Sequence, residues 1–165
     1  MLNAIFLYRI SHFLYNKKIP FLPLILKYFI FLIFNSVVPY TTKIGKNTKF
    51  AYGGIGVVLH SQCVIGDNCI IGQGITIGRK LSPDGIPTIG NDVDIAAGSR
   101  ILGGITIGNN VIIGANAVVV TDIPDNSIVA GAPAKVVRTV DKSIYDLLEN
   151  IFWYYSLYAE KNGKN

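Results

Sequence analysis

An aliphatic residue returns every six positions through the middle of this chain: Leu59, Ile65, Ile71 and Ile77, then Ile89, Ile95, Ile101, Ile107, Ile113 and Val119. A helix repeats every 3.6 residues and a strand every two, so neither alone sustains a strict six. A structural repeat does. The second place of the unit is often glycine, as at Gly66, Gly72, Gly78, Gly90, Gly108 and Gly114, which suits a tight corner where a side chain would crowd. The fifth is small or aliphatic: Cys69, Val93, Ser99, Val111 and Ala117. One inward aliphatic, a corner and a second inward residue describe one side of a prism, with about three hexads to a turn and coils stacked about 4.8 Å apart. The expected fold is an all-β solenoid, a parallel β-helix over residues 44–138, between an apolar helical segment (1–43) and a C-terminal helix and tail (139–165).

The pattern breaks twice. Ile44 and Phe50 are out of phase with Leu59 by three residues, so the extra residues fall in "AYGGIGVV", just before His60. Between Ile77 and Ile89, "RKLSPDGIPT" puts Pro83 where an aliphatic belongs and carries a turn signal, so this stretch is expected to leave the prism as a loop. With 18-residue coils, His60 is expected to stack on Gly78, the root of that loop, and then on Ala96. His60 occupies the place usually given to glycine, so its ring should face outward. A lone surface histidine is most often only a satisfied imidazole. Its column, the phase break and the loop root make His60 the candidate functional residue. His12 reads as an ordinary helix histidine.

Half of the residues are hydrophobic, enough for one sizeable core in 165 residues. The formal charge of +5 is spread along the chain rather than gathered in a nucleic-acid module, so phosphate on a small ligand, or a membrane surface, is the expected partner. Cys63 and Cys69 fall on inward places and read as core filling, and without a cleavable signal-like N-terminus they point to a reduced, cytoplasmic protein. The segment "FLPLILKYFIFLIFNSVV" is apolar but holds Lys27 and follows Pro20, and its uninterrupted part is too short to span a bilayer. It either packs on the solenoid or lies at a membrane interface, with packing preferred. Ile144, Leu147, Leu148, Ile151 and Tyr155 have helical spacing.

The hexad run resembles the hexapeptide-repeat, left-handed β-helix family, most of whose members are acyltransferases. The left hand is implied by that resemblance. "VVLHSQCVIGDNCIIGQGITIG", "PTIGNDVDIAAGSRILGGITIGNNVIIGANAVV" and the terminal "GANAVVVTDIPDNSIVAGAPAKVVR" are similar to the serine acetyltransferase-like branch, which includes bacterial polysaccharide O-acetyltransferases. The resemblance implies acetyl-CoA as acyl donor and His60 as the general base that activates an acceptor hydroxyl. It further implies Ala97 and Ala115 lining the pantetheine groove, Thr121 flanking it, and Lys135 and Arg138 approaching the CoA phosphates. Backbone N–H groups near Ala96, Ala97 and Gly98 would stabilise the oxyanion. Tyr52 and Asp84 are candidate acceptor contacts, although an Asp in "SPDG" is more often a turn former. The family also implies a homotrimer with the donor bound between prisms.

The chain departs from true serine acetyltransferases in two motifs and in the shorter helical N-terminal segment, residues 1–43. Tyr52-Gly53 stand where those enzymes carry an Asp-His pair, and Ile86 stands where they have a loop histidine. A sugar hydroxyl of a surface-polysaccharide precursor is therefore the preferred acceptor, with serine O-acetyl transfer and a non-catalytic assembly module as alternatives. A γ-class carbonic anhydrase needs a three-histidine zinc site, and this chain has two histidines in different zones, so no metal is expected.

Overall fold

The computed structural model describes residues 2–81 and 84–148. Helices α1 (Ala4–Asn16) and α2 (Leu22–Phe34) come first. The first two coils then hold β1 (Lys43–Ile44), β2 (Lys49–Phe50), β3 (Val58–Leu59), β4 (Val64–Ile65), β5 (Ile70–Ile71) and β6 (Thr76–Gly78). After the loop follow β7 (Thr88–Ile89), β8 (Val93–Ile95), β9 (Arg100–Leu102), β10 (Thr106–Ile107), β11 (Val111–Ile113) and β12 (Val118–Val119). An antiparallel pair, β13 (Ser127–Gly131) and β14 (Ala134–Thr139), and the short α3 (Ile144–Leu147) end the described chain.

Every third strand pairs in parallel, giving three faces. The first is β1-β4-β7-β10, the second runs β2-β5-β8-β11-β13-β14, and the third is β3-β6-β9-β12. The winding is that of a left-handed β-helix. Ile65, Ile71, Ile77, Ile89, Ile95, Ile101, Ile107 and Ile113 point inward and are all but fully buried, and the fifth-place residues Cys63, Cys69, Val93, Ser99, Val111 and Ala117 are buried beside them. Each such isoleucine contributes about 1.5–3 kcal/mol relative to an exposed one.

The corners explain the polar letters of the repeat. At the corner between first and second faces, Asn47, Asn68, Asp92, Asn110 and Asn126 all have φ between 55° and 58°. Short amide and carboxylate side chains tolerate this left-handed conformation best among residues with a Cβ. Their side chains also link coils, as Asn110 Nδ2 does by donating to Asn126 Oδ1 at 2.8 Å. Gly66 serves the same corner by close approach: a Cβ there would lie 2.4 Å from the Gly90 carbonyl oxygen.

Both breaks occur where the letters place them, and the register measures them. Ile44 pairs with Ile65, 21 residues on, and Ile65 with Ile89, 24 on, whereas Ile89 pairs with Ile107 at the regular 18. The three extra residues of the first coil are taken up by a short 3-10 turn that spans Ala51–Gly54. A third irregularity is not apparent from the hexads: Ile107 pairs with Ile123, only 16 on, because the corner after β12 is two residues short.

The helices close the first coil. Ala4, Tyr8, Ile30 and Phe34 join the solenoid core, Tyr8 Oη donates to the Thr42 carbonyl at 2.6 Å, and the Arg9 guanidinium donates to the carbonyls of Ile44 and Gly45. These bonds occupy backbone acceptors that have no preceding coil to pair with. At the other end β14 folds back on β13, and Ile144 is buried. Ile151 and Tyr155, expected to continue the terminal helix, lie outside the described residues, as do Ser82 and Pro83 of the loop.

Candidate active site

His60 follows β3 at the edge between the third and first faces. Its N–H donates to the Ile77 carbonyl at 2.9 Å, its own carbonyl accepts from Thr42 Oγ1 at 3.1 Å, and its side chain is half-buried. Ring Nδ1 accepts the Gln62 backbone N–H at 3.2 Å. In a neutral imidazole that bond puts the proton on Nε2.

The column above His60 differs from the expected one in its third member. His60 lies over Gly78, but Gly78 pairs with Leu102, not Ala96. The loop takes six residues out of the coil, so the residue 18 positions beyond Gly78 has not yet come round to the same edge. Ala96 belongs instead to the edge between second and third faces, where its N–H donates to Ile113 and the Gly72 N–H donates to Ile95.

His60, Tyr52, Ala97, Ala115 and Thr121 therefore divide between the two edges that bound the third face. Ala97 and Ala115 stack in successive coils, the Asn116 N–H donating to the Ala97 carbonyl at 2.9 Å. The N–H groups of Ala96 and Gly98 are used by the coil ladder, while no hydrogen bond takes up the Ala97 N–H among the described residues. Tyr52, exposed and at φ 50°, is in the 3-10 turn on this same edge, one coil below Gly72–Gly74. Thr121 is exposed on the other edge, at the shortened corner of the last full coil. Lys135 and Arg138 are exposed on β14, the end strand of the second face. Within one chain His60 and the Ala97–Ala115 wall face different directions.

Asp84 does not orient His60. Its carboxylate takes both oxygens to Arg79 Nη2, at 2.8 and 2.9 Å, and also accepts the Gly85 N–H at 2.8 Å. The Arg79 guanidinium holds the Asp84 carboxyl below its ordinary value. The loop is seated on the next coil: a Cβ on Gly85 would lie 2.5 Å from Gly104 Cα, and one on Gly104 would lie 2.8 Å from the Asp84 carbonyl oxygen. Arg79 and the Gly103-Gly104 doublet were not singled out from the sequence. The doublet could have been, because it puts two glycines in the third and fourth places of a hexad whose usual glycine place is taken by Leu102.

A second residue missed from sequence is Asp94. It points out of the second face between Ile70 and Ile112, yet only 9% of it is exposed, and burial pushes its carboxyl up to about 7. Tyr145 of α3 lies nearby, its hydroxyl donating to the Asn68 carbonyl at 2.5 Å.

Residues 86–121 match the family model described as bacterial transferase hexapeptide (six repeats). The chain is 36% identical to a serine acetyltransferase of Helicobacter pylori over 82% of this chain and 80% of that protein. It is 42% identical to a serine acetyltransferase of Bacillus subtilis over 87% of this chain and 66% of that one. Among solved structures, serine acetyltransferase in complex with coenzyme A from Brucella abortus superposes with a TM-score of 0.78 at 30% identity, covering 85% of this chain and 56% of that one. The chain thus spans about half to two thirds of the length of most of these relatives. The inward hexads, the stacked corners and these likenesses across the whole solenoid place the chain in the hexapeptide-repeat acetyltransferase family, in its serine acetyltransferase-like branch.

Proposed function

We propose that the protein transfers an acetyl group from acetyl-CoA to the hydroxyl of a small acceptor. The likeness to serine acetyltransferases across most of the chain carries this reading. The chain's own residues fit the donor: Ala97 and Ala115 present a wall without bulky side chains, the Ala97 N–H is available to a carbonyl oxygen, and Lys135 and Arg138 are cations open to phosphates. Because His60 and that wall lie on different edges, the site is completed by the prism of a neighbouring subunit, as in a trimer.

His60 accepts the proton of the acceptor hydroxyl. To do so the ring gives up its 3.2 Å bond from Gln62 and carries its proton on Nδ1, which frees the Nε2 lone pair. The acceptor oxygen forms a bond to the thioester carbon, the carbon–sulfur bond breaks, and the proton passes through His60 to the departing sulfur. Such help is worth roughly a hundred- to ten-thousand-fold.

The relatives move the acceptor from the sugar preferred on sequence alone to L-serine. The sugar stays as a second reading for one reason: Tyr52-Gly53 and Ile86 replace the residues by which the branch was expected to handle serine.

The test is calorimetric titration of wild type and His60→Ala with acetyl-CoA, followed by transfer assays offering L-serine and, separately, nucleotide-linked sugars. Saturable binding by both proteins, with His60→Ala turnover lowered at least about a hundredfold, supports the reading. Turnover unchanged in His60→Ala removes the histidine from the chemistry. No binding by folded wild type replaces the enzyme with an assembly module.

A further inference from the structure

We propose that the α1–α2 hairpin rests on the surface of an anionic lipid bilayer. The solenoid uses only one stripe of each helix. On α2 the buried positions are Pro23, Ile30 and Phe34, and on α1 they are Ala4, Tyr8 and Ser11. What remains outside is also apolar. Fifteen of the 21 large hydrophobic side chains exposed among the described residues fall between Leu2 and Ile33. Phe6, Ile10 and Phe13 form the outward stripe of α1, and Phe29 and Leu32 belong to that of α2. An exposed apolar area of this extent marks an interface rather than a solvated surface. Phe21 is the extreme case, 78% exposed at the turn between the helices and held at φ 61°.

Charge selects the occupant. Residues 1–66 contain seven Lys or Arg and no Asp or Glu, whereas residues 67–165 contain eight basic and ten acidic residues. The excess positive charge of the chain thus belongs to the helices and the coils beside them. Lys17 and Lys18 stand exposed in the turn that leads to Phe21, and Lys43 is exposed on the adjoining coil. An apolar face flanked by cations is the signature of a helix lying in a bilayer interface. Spanning is not available: neither helix is long and apolar enough, and 13 residues reach only about 20 Å.

The experiment is co-sedimentation of the full chain with phosphatidylcholine vesicles, with and without phosphatidylglycerol, at low and high salt. Light scattering of the lipid-free protein is measured in parallel. Acetyl transfer does not enter the readout, so the result is independent of the function proposed above. Binding is expected only with the anionic lipid, falling as salt is raised. Lys17→Ala with Lys18→Ala should weaken it by about thirtyfold at low salt, and Phe21→Ser should weaken it without changing the circular dichroism spectrum. Equal binding to neutral and anionic vesicles would overturn the proposal. So would no binding to either, with Phe21→Ser and Leu32→Ser lowering the oligomer mass, because the face would then be covered by a second copy of the chain.

Discussion

Between pH 4 and pH 8, replacing Asp94 by Asn should change how stability depends on pH more than any other substitution of an acidic residue in the described chain. The carboxyl titrates at about 7 in the fold against an ordinary 3.8, because burial against the second face penalises its charged form. Between those two values the folded protein holds a proton that the unfolded chain has released, so stability falls as pH rises from about 4 to about 7 and then levels. Each pH unit between the two values is worth about 1.4 kcal/mol, which sets an upper bound of about 4 kcal/mol on the cost at pH 8. Asn keeps the shape and cannot ionise. Asp94→Asn should therefore match wild type near pH 4, where both side chains are neutral, and exceed it at pH 8 by up to about 4 kcal/mol, on the order of 10 °C in melting temperature. The assay is urea unfolding of both proteins from pH 4 to pH 8 at one protein concentration, since assembly couples to stability. Only the difference between the curves matters, because every other titrating group is common to both. Parallel curves would show that Asp94 is hydrated or paired at neutral pH and would refute the argument from burial.

Three further outcomes follow from the geometry. Gly66→Ala drives a methyl group to 2.4 Å from the Gly90 carbonyl oxygen and should cost at least about 1–3 kcal/mol in chemical denaturation, whereas alanine at the open Gly78 should cost far less on steric grounds. Cys63 and Cys69 are buried and their thiols are pushed up to about 12 and about 11, so neither should react with a thiol reagent at pH 8 until the protein is unfolded, when two equivalents per chain should appear. Lys135→Ala with Arg138→Ala should weaken acetyl-CoA binding roughly tenfold in calorimetry and leave the melting temperature nearly unchanged, since both side chains are exposed.

Much of the architecture was legible because a solenoid is a local code. Each hexad must bury one aliphatic and turn one corner, and neighbouring coils ask the same of the next hexad, so Ile65 to Ile113 announce the prism without any knowledge of distant contacts. The Phe50-to-Leu59 slip and the loss of an aliphatic at Pro83 likewise mark the places where chain leaves the coil. His60 stood out for its position in that same code, whereas Ala97 and Ala115 came from the family resemblance.

What the letters could not supply is the alignment of one column with another. The partner of Gly78 depends on how many loop residues the coil omits, and only the register places it at Leu102 rather than Ala96. Asp84 is tied to Arg79 because the loop folds back on Gly103-Gly104, a seat that exists only once the coils are stacked. Asp94 reads as an outward polar residue of an ordinary strand, and its burial appears only with the three-dimensional arrangement around the second face. The helices carry apolar residues on every side, so their sequence does not distinguish the stripe that closes the first coil from the one left exposed. Period, core and corners were determined by sequence alone, because each is a demand met within a few residues. Column identity, the division of the site between two edges and the open helical face were decided by tertiary structure, because each depends on the lengths of intervening segments and on which surface packs first against another.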